Sequence, residues 1–287
     1  MWDDLPEELL AFRLKVLVEG KRRYRDLPWR NTRDPYAIWI SEVMLQQTQV
    51  ARVDGRWQRW LEQFPTVQAL AAASTTDVLR AWQGMGYNRR ALSLHEAAQR
   101  IAAMDAFPSG EKDLVSLPGI GPTTAAGIRA FAFNMSGVYL ETNVRSVFLH
   151  ELFPQQLDVG DKTLQPLVRQ TCPPDDADPE DNPRSWYYAL LDYGAYLKQT
   201  ILNPSRRSRS YTKQSRFEGS HRQKRAAALR LLLQHPEGMS VTLLCNLMSA
   251  EEQAANRPAI DITQVETLLA ELAREGFCHE RGGIWLA

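Results

Sequence analysis

A glutamate in an apolar stretch is the first residue whose type and place suit chemistry. Glu42 lies between Ile40 and Val43, in a segment with the spacing of a helix. Apolar surroundings disfavour the charged form of a carboxyl and raise its pKa, so Glu42 can act as a general acid. The alternative is a surface glutamate near a helix start, stabilised by the helix dipole.

A second glutamate, Glu141, follows the apolar residues 138–140 and precedes a predicted helix start. Two carboxylates that share one cleft can stabilise and attack a sugar cation while a glycosidic bond breaks. The pair therefore suggests chemistry at a sugar, provided that the fold brings the two residues together. The alternative is that Glu141 only begins the helix.

Three glutamines, Gln46, Gln47 and Gln49, follow Glu42 within a few positions. The periodicity predicts a helix over residues 38–50, which places Gln46 four residues after Glu42 on the same face. Amide side chains there can fill space and form hydrogen bonds where a base has left a duplex.

The motif Leu117-Pro118-Gly119-Ile120-Gly121-Pro122-Thr123-Thr124 predicts a short helix, a tight turn and a second helix. Glycines permit the turn, and Pro122 suits the first position of the helix that follows. Backbone N–H groups at that helix start form a site for an anion such as a DNA phosphate. The alternative is a plain turn between two helices.

A second glycine turn reads Gly84-Met85-Gly86-Tyr87-Asn88-Arg89-Arg90. Its glycines allow close backbone approach, Tyr87 offers a ring that can stack or wedge, and Arg89 can meet a phosphate. By itself the pattern indicates only a turn before a helix.

The elements that must position these residues are almost all helical. Apolar residues recur at helical spacing, with Pro and Gly between the segments, which predicts an all-α fold. The 287 residues are 44% hydrophobic, enough for a sizeable core and one or two domains. Three widely spaced cysteines argue against a disulfide framework and a four-thiolate metal site. Without a signal pattern or a membrane-spanning apolar run, we expect a soluble intracellular protein.

Charge is balanced, with 34 basic and 34 acidic residues, but it is not evenly spread. Zero net charge excludes a uniformly basic protein, so nucleic-acid binding needs local segregation. Residues 175–181 read DDADPED and are interpreted as a solvated acidic loop. Residues 205–225 carry eight Lys or Arg and one acid, a local net charge of +7. This basic segment is either a solvated linker or a phosphate-contacting segment.

The C-terminal part has the pattern of a separate small module. The spacing predicts helices over 221–234, 240–249 and 262–275, then a hairpin that turns at Gly282-Gly283. Three helices and a hairpin indicate a winged-helix-like (α+β) module, which either binds DNA or packs on its neighbour. The predicted domains are residues 1–204, a basic linker over 205–220 and the module over 221–287.

The Glu42 segment, the two glycine turns and the Glu141 segment occur together over about residues 25–200. In this combination the chain resembles the helix–hairpin–helix DNA glycosylase superfamily, and within it the MutY-type adenine glycosylases that act on A opposite oxidised guanine. The resemblance is carried by LPW at 27–29, PYAIWISEVMLQQTQVARV at 35–53, FPTV at 64–67, WQGMGYNRRA at 82–91, LPGIGPTTAAGI at 117–128 and LETNVRSV at 140–147.

The resemblance implies a two-lobed helical fold that holds DNA in a cleft and flips the target nucleotide out of the stack. It implies that Glu42 protonates the adenine ring and then positions water, and that Glu141 and Asn143 complete the catalytic set. A monovalent cation, Na⁺ or K⁺, is implied at the carbonyl oxygens of the 117–122 hairpin. The residues expected to bind DNA are Gln46, Gln47, Tyr87, Arg89, Pro118, Gly119, Ile120, Gly121, Thr123 and Thr124, with Arg206, Arg207 and Arg209 from the basic segment.

Two departures from the family pattern concern the reaction. Glu141 stands where the family's aspartate-glycine-asparagine motif has its aspartate, and a carboxylate displaced by about 1 Å can cost roughly two orders of magnitude in rate. Thr123 stands where bifunctional relatives resembling endonuclease III place a nucleophilic lysine. Without that amine no Schiff base can form, so we expect hydrolysis without AP-lyase activity.

Two further departures concern cofactors and recognition. Most relatives follow the helix that includes Leu191–Lys198 with four cysteines that hold a [4Fe–4S] cluster, and this chain has none there. We therefore expect no cluster and no other cofactor, with the basic segment taking over the structural and DNA-facing role of the cluster. The short C-terminal module also stands where typical relatives have a larger, pyrophosphohydrolase-like domain that inspects oxidised guanine.

The leading hypothesis is a monofunctional DNA glycosylase of base excision repair that removes adenine mispaired with 8-oxoguanine or guanine in double-stranded DNA. One alternative is a glycosylase of the same fold for hypoxanthine, uracil or another damaged base. Another is a lesion-binding protein in which Glu141 has weakened catalysis. We expect a cytoplasmic, nucleoid-associated monomer without membrane association.

Overall fold

The computed structural model of the protein describes residues 2, 4–175, 178, 180–212 and 215–287, which are mostly helical. The helices up to residue 133 are α1 (Glu7–Arg22), α2 (Pro35–Leu45), α3 (Val50–Val53), α4 (Arg56–Gln63), α5 (Val67–Ala72), α6 (Thr75–Ala81), α7 (Arg89–Ala102), α8 (Glu111–Val115) and α9 (Pro122–Phe133). The later elements are α10 (Thr142–Glu151), α11 (Asp161–Thr171), α12 (Pro183–Thr200), α13 (His221–Gln234), α14 (Val241–Ala254), α15 (Ile262–Arg274), β1 (His279–Arg281) and β2 (Ile284–Leu286). Short 3₁₀ turns cover Pro28–Arg30 and Pro204–Arg207.

The residues group into two compact units. The first comprises Met1–Ala71 and Glu96–Thr212, and the second comprises Ala72–His95 and Lys213–Ala287. Residues 72–95 thus associate with the C-terminal module, although they precede it by more than a hundred positions in the chain. The division into domains at 204 and 221 stays a prediction. Across the residues that the structure describes, no helix is both long and apolar enough to span a membrane.

The core of the first unit forms around α12. Asn182 caps this helix and forms a capping box with Ser185, in which each side chain accepts the other residue's backbone N–H. Trp186, Tyr187 and Leu190 are fully buried in the core that α12 shares with α1, α9 and α10. Burial of each such side chain contributes roughly 2–3 kcal/mol. This packing fixes α9 and α10, the helices that follow the hairpin motif and Glu141.

The acidic loop over 175–181 is anchored to its surroundings. Arg13 of α1 is buried and pairs with Asp181, with 2.6 Å between Nη2 and Oδ2, and it also donates to the Thr171 carbonyl. The Asp175 carboxylate accepts a hydrogen bond of 2.6 Å from the Ser136 N–H. The interpretation as a solvated loop is therefore wrong for Asp181, because the buried arginine needs its charge. Residues 176, 177 and 179 of the loop lie outside the described residues.

The second unit contains the winged-helix-like module. Helices α13, α14 and α15 pack on one another, and β1 and β2 form an antiparallel hairpin. The hairpin turns at Gly282-Gly283, where both residues have positive φ, as a two-residue turn requires. Met239 and Trp285 exchange backbone hydrogen bonds of 2.9 and 2.8 Å, which ties the hairpin to the start of α14.

The module packs on residues 72–95 within this unit. Helix α13 contacts α6, and Arg80 Nε donates a hydrogen bond of 3.2 Å to the Leu233 carbonyl near the end of α13. Of the two roles considered for the module, packing on a neighbour is therefore present in the structure. DNA binding by the module stays a prediction.

Candidate active site

A cavity of about 420 Å³ in the first unit is lined by both candidate glutamates. Glu42 lies in α2 and Glu141 directly precedes α10, so the fold brings together two parts of the chain that are far apart in sequence. The other lining residues with polar side chains include Arg25, Arg30, Gln46, Gln47, Thr48, Thr123, Thr124, Tyr139, Thr142, Asn143, Arg145 and Tyr188.

Glu42 occupies the middle of α2, well past its start at Pro35. The helix is capped by Asp34, whose carboxylate accepts two backbone N–H hydrogen bonds, so the alternative of a glutamate at the helix start is wrong. The Glu42 side chain is only partly exposed, and the ring of Tyr139 lies beside its carboxyl, next to Gly127. Burial, with a smaller contribution from the nearby Glu141, raises the pKa of Glu42 to about 8, although hydrogen bonding with Tyr139 acts in the opposite direction.

Glu141 is the N-cap of α10. Its carboxylate accepts hydrogen bonds from the Asn143 and Val144 N–H groups, the second at 2.9 Å. Burial raises the pKa of Glu141, whereas these two hydrogen bonds and the positive charges of Lys198 and Arg145 lower it. Lys198 Nζ also donates to Asn143 Oδ1 at 3.1 Å. Glu141 therefore begins a helix and also lines the cavity, while its action on a sugar cation stays a prediction.

The glutamines lie where α2 ends, and the prediction of one helix over 38–50 is wrong. The helix stops at Leu45, and Gln47 has a φ of 53°, in the left-handed region that side chains rarely adopt. Gln46 Nε2 donates a hydrogen bond of 3.0 Å to Thr124 Oγ1, which ties the end of α2 to the start of α9. The prediction failed because residues 46–49 contain no glycine or proline to signal the break.

The motif at 117–124 forms the predicted helix–turn–helix. Helices α8 and α9 pack on each other, and Gly119 supplies the turn with a φ of 76°. Pro122 takes the first position of α9, and the Ile120 N–H donates to the Leu117 carbonyl at 3.2 Å. Thr123 and Thr124, in the first turn of α9, line the cavity. The helix start proposed as an anion site therefore lies next to the two carboxyl groups.

A buried cluster of arginine and aspartate on the cavity wall was not predicted. Asp192 of α12 accepts hydrogen bonds from Arg30 at 2.7 and 2.8 Å and from Arg25 Nε at 2.5 Å. The Arg30 guanidinium also lies 4.3 Å from the centre of the Tyr188 ring. The only signal in the sequence was an acid within an apolar helix, because a buried acid requires a cationic partner. It could not show which of the 34 basic residues would be that partner.

The predicted wedge residue and its neighbour belong to the second unit. Tyr87 is exposed and has a φ of 48°, directly after Gly84 and Gly86, two glycines that also have positive φ. Arg89 Nη1 lies 4.0 Å from Glu275 Oε2, within the same unit. A non-glycine residue in this conformation carries backbone strain of roughly 1 kcal/mol or more, and such strain is often found at functional sites.

The start of the basic segment packs on α10. Residues 203–209 form a short element, here called the strap, that includes the 3₁₀ turn. Ser205 is buried, and its Oγ lies 2.6 Å from Ser146 Oγ and donates to the Thr142 carbonyl at 3.2 Å. Ser208 pairs with Val159 in a parallel β-bridge. The strap therefore contacts the turn that carries Glu141.

The three predicted DNA-binding arginines of the strap have different surroundings. Arg207 donates to the Leu149 carbonyl at 2.8 Å and to the Pro154 carbonyl. Arg209 forms an ion pair of 2.7 Å with Asp158, and Arg206 is exposed. The linker interpretation does not describe this part of the basic segment. Residues 213 and 214 of the segment lie outside the described residues.

The cysteines do not fit an iron–sulfur cluster. The full sequence has three, whereas a [4Fe–4S] cluster is bound by four thiolates. Cys172 is buried in the first unit, and Cys245 and Cys278 belong to the second. Within the described ranges, no three His, Cys, Asp or Glu side chains group closely enough to bind a metal.

Fold and cavity together define a helical protein in which a helix–hairpin–helix element borders a pair of carboxyl groups. Residues 40–180 match the family model described as "HhH-GPD superfamily base excision DNA repair protein". The chain therefore contains an HhH-GPD domain over residues 40–180, just under half of its length.

Curated relatives carry the name adenine DNA glycosylase. The protein from Mycobacterium tuberculosis is 48% identical over 135 residues, which cover 46% of this chain and 44% of that protein. The protein from Mycolicibacterium smegmatis is 40% identical over 174 residues, which cover 60% of this chain and 58% of its own length. The chain therefore spans about half the length of the curated relatives that it matches.

Solved structures show the same fold. A thermostable thymine-DNA glycosylase aligns with a TM-score of 0.59 and 22% identity, over 69% of this chain and 91% of that chain. Endonuclease III in a non-covalent complex with DNA aligns with a TM-score of 0.53 and 17% identity, over 66% of this chain and 85% of that chain. At these identities the likeness concerns the fold alone.

Proposed function

We propose that the protein is a monofunctional DNA glycosylase that hydrolyses the N-glycosidic bond of an adenine mispaired with 8-oxoguanine or guanine. The proposal is carried by one observation, the cavity in which a buried carboxyl of raised pKa and a helix-capping carboxylate stand together. The names of the curated relatives support adenine as the base. The proposed partner is double-stranded DNA. The proposed location of the protein is therefore the cytoplasm, at the nucleoid.

Glu42 is the general acid of the proposed reaction. With a pKa of about 8 it is protonated at neutral pH, so it can deliver a proton to a ring nitrogen of the flipped adenine. The protonated base takes the electron pair of the C1′–N bond and leaves as neutral adenine. A water molecule then adds its oxygen to C1′ and gives a proton to the Glu42 carboxylate, which restores the acid and leaves an abasic site.

Glu141 stabilises the sugar cation between these two steps. The backbone N–H groups and the nearby Lys198 and Arg145 favour the charged form of its carboxylate, which a developing cation requires. Asn143 is held beside it, since Asn143 Nδ2 lies 3.4 Å from Glu141 Oε2. Thr123 has no amine with which to open the sugar, so the reaction ends at the abasic site without strand cleavage.

DNA contacts are assigned to groups around the cavity and on the second unit. The hairpin Pro118 to Gly121 and the start of α9 would bind a phosphate through backbone N–H groups, with a monovalent cation at the hairpin carbonyls. Gln46 and Gln47 would contact the opened duplex, and Tyr87 with Arg89 would act on the stack and the backbone. Among the arginines of the strap, the exposed Arg206 is best suited to a phosphate.

The proposed enzyme needs no iron–sulfur cluster. The contacts of Ser205 and Arg207 with α10 support the strap as the element that holds this part of the fold. We expect the purified protein to contain no iron–sulfur cluster. Iron analysis tests this, since stoichiometric iron and a brown colour would refute it.

One assay separates the proposed function from its alternatives. The protein is incubated with duplexes that contain A·8-oxoguanine, A·G, U·G or hypoxanthine·T, then treated with alkali to cleave abasic sites. Product from the two adenine duplexes only supports the proposal, and product from another duplex alone identifies a different base. Tight binding without any product identifies a lesion-binding protein. Strand cleavage without alkali contradicts the monofunctional assignment.

A further inference from the structure

The Tyr139 ring and the Glu42 carboxyl meet at Gly127, and hydrogen bonding between the two side chains lowers the pKa of Glu42. Tyr139 lies in the extended segment between α9 and α10, and its side chain is 6% exposed. Its ring packs edge-on against Phe131 and Tyr187, with centroids 5.2 and 5.3 Å apart. Its backbone N–H donates to the Tyr187 hydroxyl at 3.3 Å. Ring and backbone are therefore both fixed, with the edge of the ring beside the Glu42 carboxyl.

A glycine leaves the space in which the two side chains meet. Gly127 is buried in α9, and a Cβ atom placed on it would collide with Glu42 Oε2 and come within 2.8 Å of Tyr139 Cε2. No side chain can occupy this position while both groups keep their places. The residue therefore serves close packing, at a cost of roughly 0.5–1 kcal/mol relative to alanine in a helix.

We propose that Tyr139 is a positioning residue for Glu42, and that its hydroxyl holds the carboxyl in the orientation from which the proton reaches the base. The proposal rests on the proposed function of Glu42 as the acid. A carboxyl group among apolar side chains has few other contacts to set its rotation, and general acid catalysis needs hydrogen-bond reach to one atom of the substrate. Tyr139 provides that constraint from a ring that cannot move.

Burial is the main influence on the pKa of Glu42, and Tyr139 acts against it. The groups that face Glu42 are the hydroxyls of Tyr139 and Tyr188 and the Glu141 carboxyl, with the guanidinium groups of Arg25, Arg30 and Arg145 elsewhere on the cavity wall. A phenol that donates to the carboxylate stabilises the charged form and lowers the pKa. Loss of the hydroxyl therefore raises the pKa of Glu42 above about 8 and keeps the acid protonated to a higher pH.

The test compares Tyr139→Phe with Tyr187→Phe. Single-turnover excision of adenine from A·8-oxoguanine is followed from about pH 6 to about pH 9.5. We expect Tyr139→Phe to lower the plateau by about 10-fold and to move the alkaline limb upward by at least roughly half a unit. Tyr187→Phe disturbs the same packing without touching Glu42, so its alkaline limb should coincide with that of the wild type.

A second measurement does not depend on activity. The side-chain carboxyl carbon of Glu42 is titrated by NMR in glutamate-labelled wild type and in Tyr139→Phe, with Glu42→Gln to assign the signal. A higher pKa in Tyr139→Phe supports the proposal, and an unchanged pKa with an unchanged alkaline limb overturns it. If the pKa rises but the wild type excises no base, the proposed function fails and the positioning contact stands.

A fluorinated tyrosine should shift the pKa of Glu42 in the opposite direction. It also keeps the proposal testable if Tyr139→Phe does not fold. A 3-fluorotyrosine at position 139 keeps the ring and makes the hydroxyl a stronger donor. We expect it to lower the pKa of Glu42 and to move the alkaline limb downward. A limb that stays in place with this residue contradicts the proposal.

Discussion

The Glu42 side and the Glu141 side of the cavity, here called its two ends, hold the same side chain in different surroundings. Glu42 sits in the middle of a helix among apolar residues, with a phenol as its donor, and burial raises its pKa to about 8. Glu141 stands before a helix, where two backbone N–H groups and two cationic side chains counter the effect of burial. In the proposed function, this difference in environment is what lets one glutamate serve as the acid and the other as the anion.

The difference extends to how each residue is held. Glu42 is confined by a side chain and a glycine, Tyr139 and Gly127. The Glu141 turn is confined by backbone contacts, since Gly194 of α12 packs directly on the Asn143 carbonyl and Ser205 donates to the Thr142 carbonyl. The position of Glu42 is therefore set by its neighbouring side chains, whereas the position of Glu141 is set by contacts of the main chain.

The largest expected effect is that of Glu42→Gln. The amide keeps the size of the side chain but cannot deliver the proton, so the excision rate should fall by about 10³-fold while DNA binding is retained. Single-turnover kinetics and a binding titration measure the two effects. Glu62→Gln, at an exposed position of α4, is the matched control. Full activity of Glu42→Gln would remove Glu42 from the role of the acid.

Glu42→Gln should also change how the stability of the protein depends on pH, which Glu62→Gln should not. The pKa of Glu42 is raised in the folded state, so the folded protein binds the proton more tightly than the unfolded chain does. The stability that this proton contributes is complete below the unfolded pKa near 4.5 and is lost as pH rises toward 8. Melting curves should therefore show Glu42→Gln gaining on the wild type over that range. A difference that does not change with pH would contradict the raised pKa.

At the other end, Glu141→Gln should reduce excision by about 10²-fold, because the charge that faces the sugar cation is lost. The amide oxygen can still cap α10, so the melting temperature should change little. Glu141→Ala removes charge and cap together and should also cost about 1 kcal/mol of stability. Glu141→Asp, which keeps both, should retain or raise activity. If it is inactive, Glu141 has a different role.

The amino-acid sequence predicts this comparison only in part, because several of the deciding interactions join residues that are far apart in the chain. The two glutamates, the hairpin and the C-terminal module follow from local patterns of apolar residues, glycine and proline. The contacts that distinguish the two ends join residues far apart in the chain, such as Arg30 and Asp192, 162 positions apart. The turn at Gln47 also escaped prediction, because its positive φ occurs at a residue type that rarely adopts it.

A pair of glycine substitutions compares the two kinds of confinement. In Gly127→Ala the new methyl group meets the Glu42 carboxyl, which can move away, and the fixed Tyr139 ring, so excision should fall by roughly 10- to 100-fold with a smaller loss of stability than in Gly194→Ala. In Gly194→Ala the methyl group meets the Asn143 backbone, which cannot move, so the melting temperature should fall as well. Gly137→Ala is the control, since its nearest neighbour would be the Ala126 Cβ at 3.7 Å. Equal melting temperatures for Gly127→Ala and Gly194→Ala would break the distinction.

The smallest expected effect tests the strap. Ser205→Ala removes the hydrogen bond to the Thr142 carbonyl and the contact with Ser146, both in buried surroundings. We expect a loss of about 1 kcal/mol of stability and a decrease in excision rate of less than about 10-fold, because the Glu141 turn keeps its other contacts.

Ser205→Thr keeps the hydroxyl and should restore the rate, whereas Ser210→Ala, at an exposed position next to the strap, should have no effect. The alkaline limb of the pH profile should stay in place in all three variants, since none touches Glu42. A shifted limb in Ser205→Ala would show that the two ends of the cavity are coupled. Glu42 and Glu141 would then not be held in place independently, because the strap would affect the acid, Glu42, as well as the anion, Glu141.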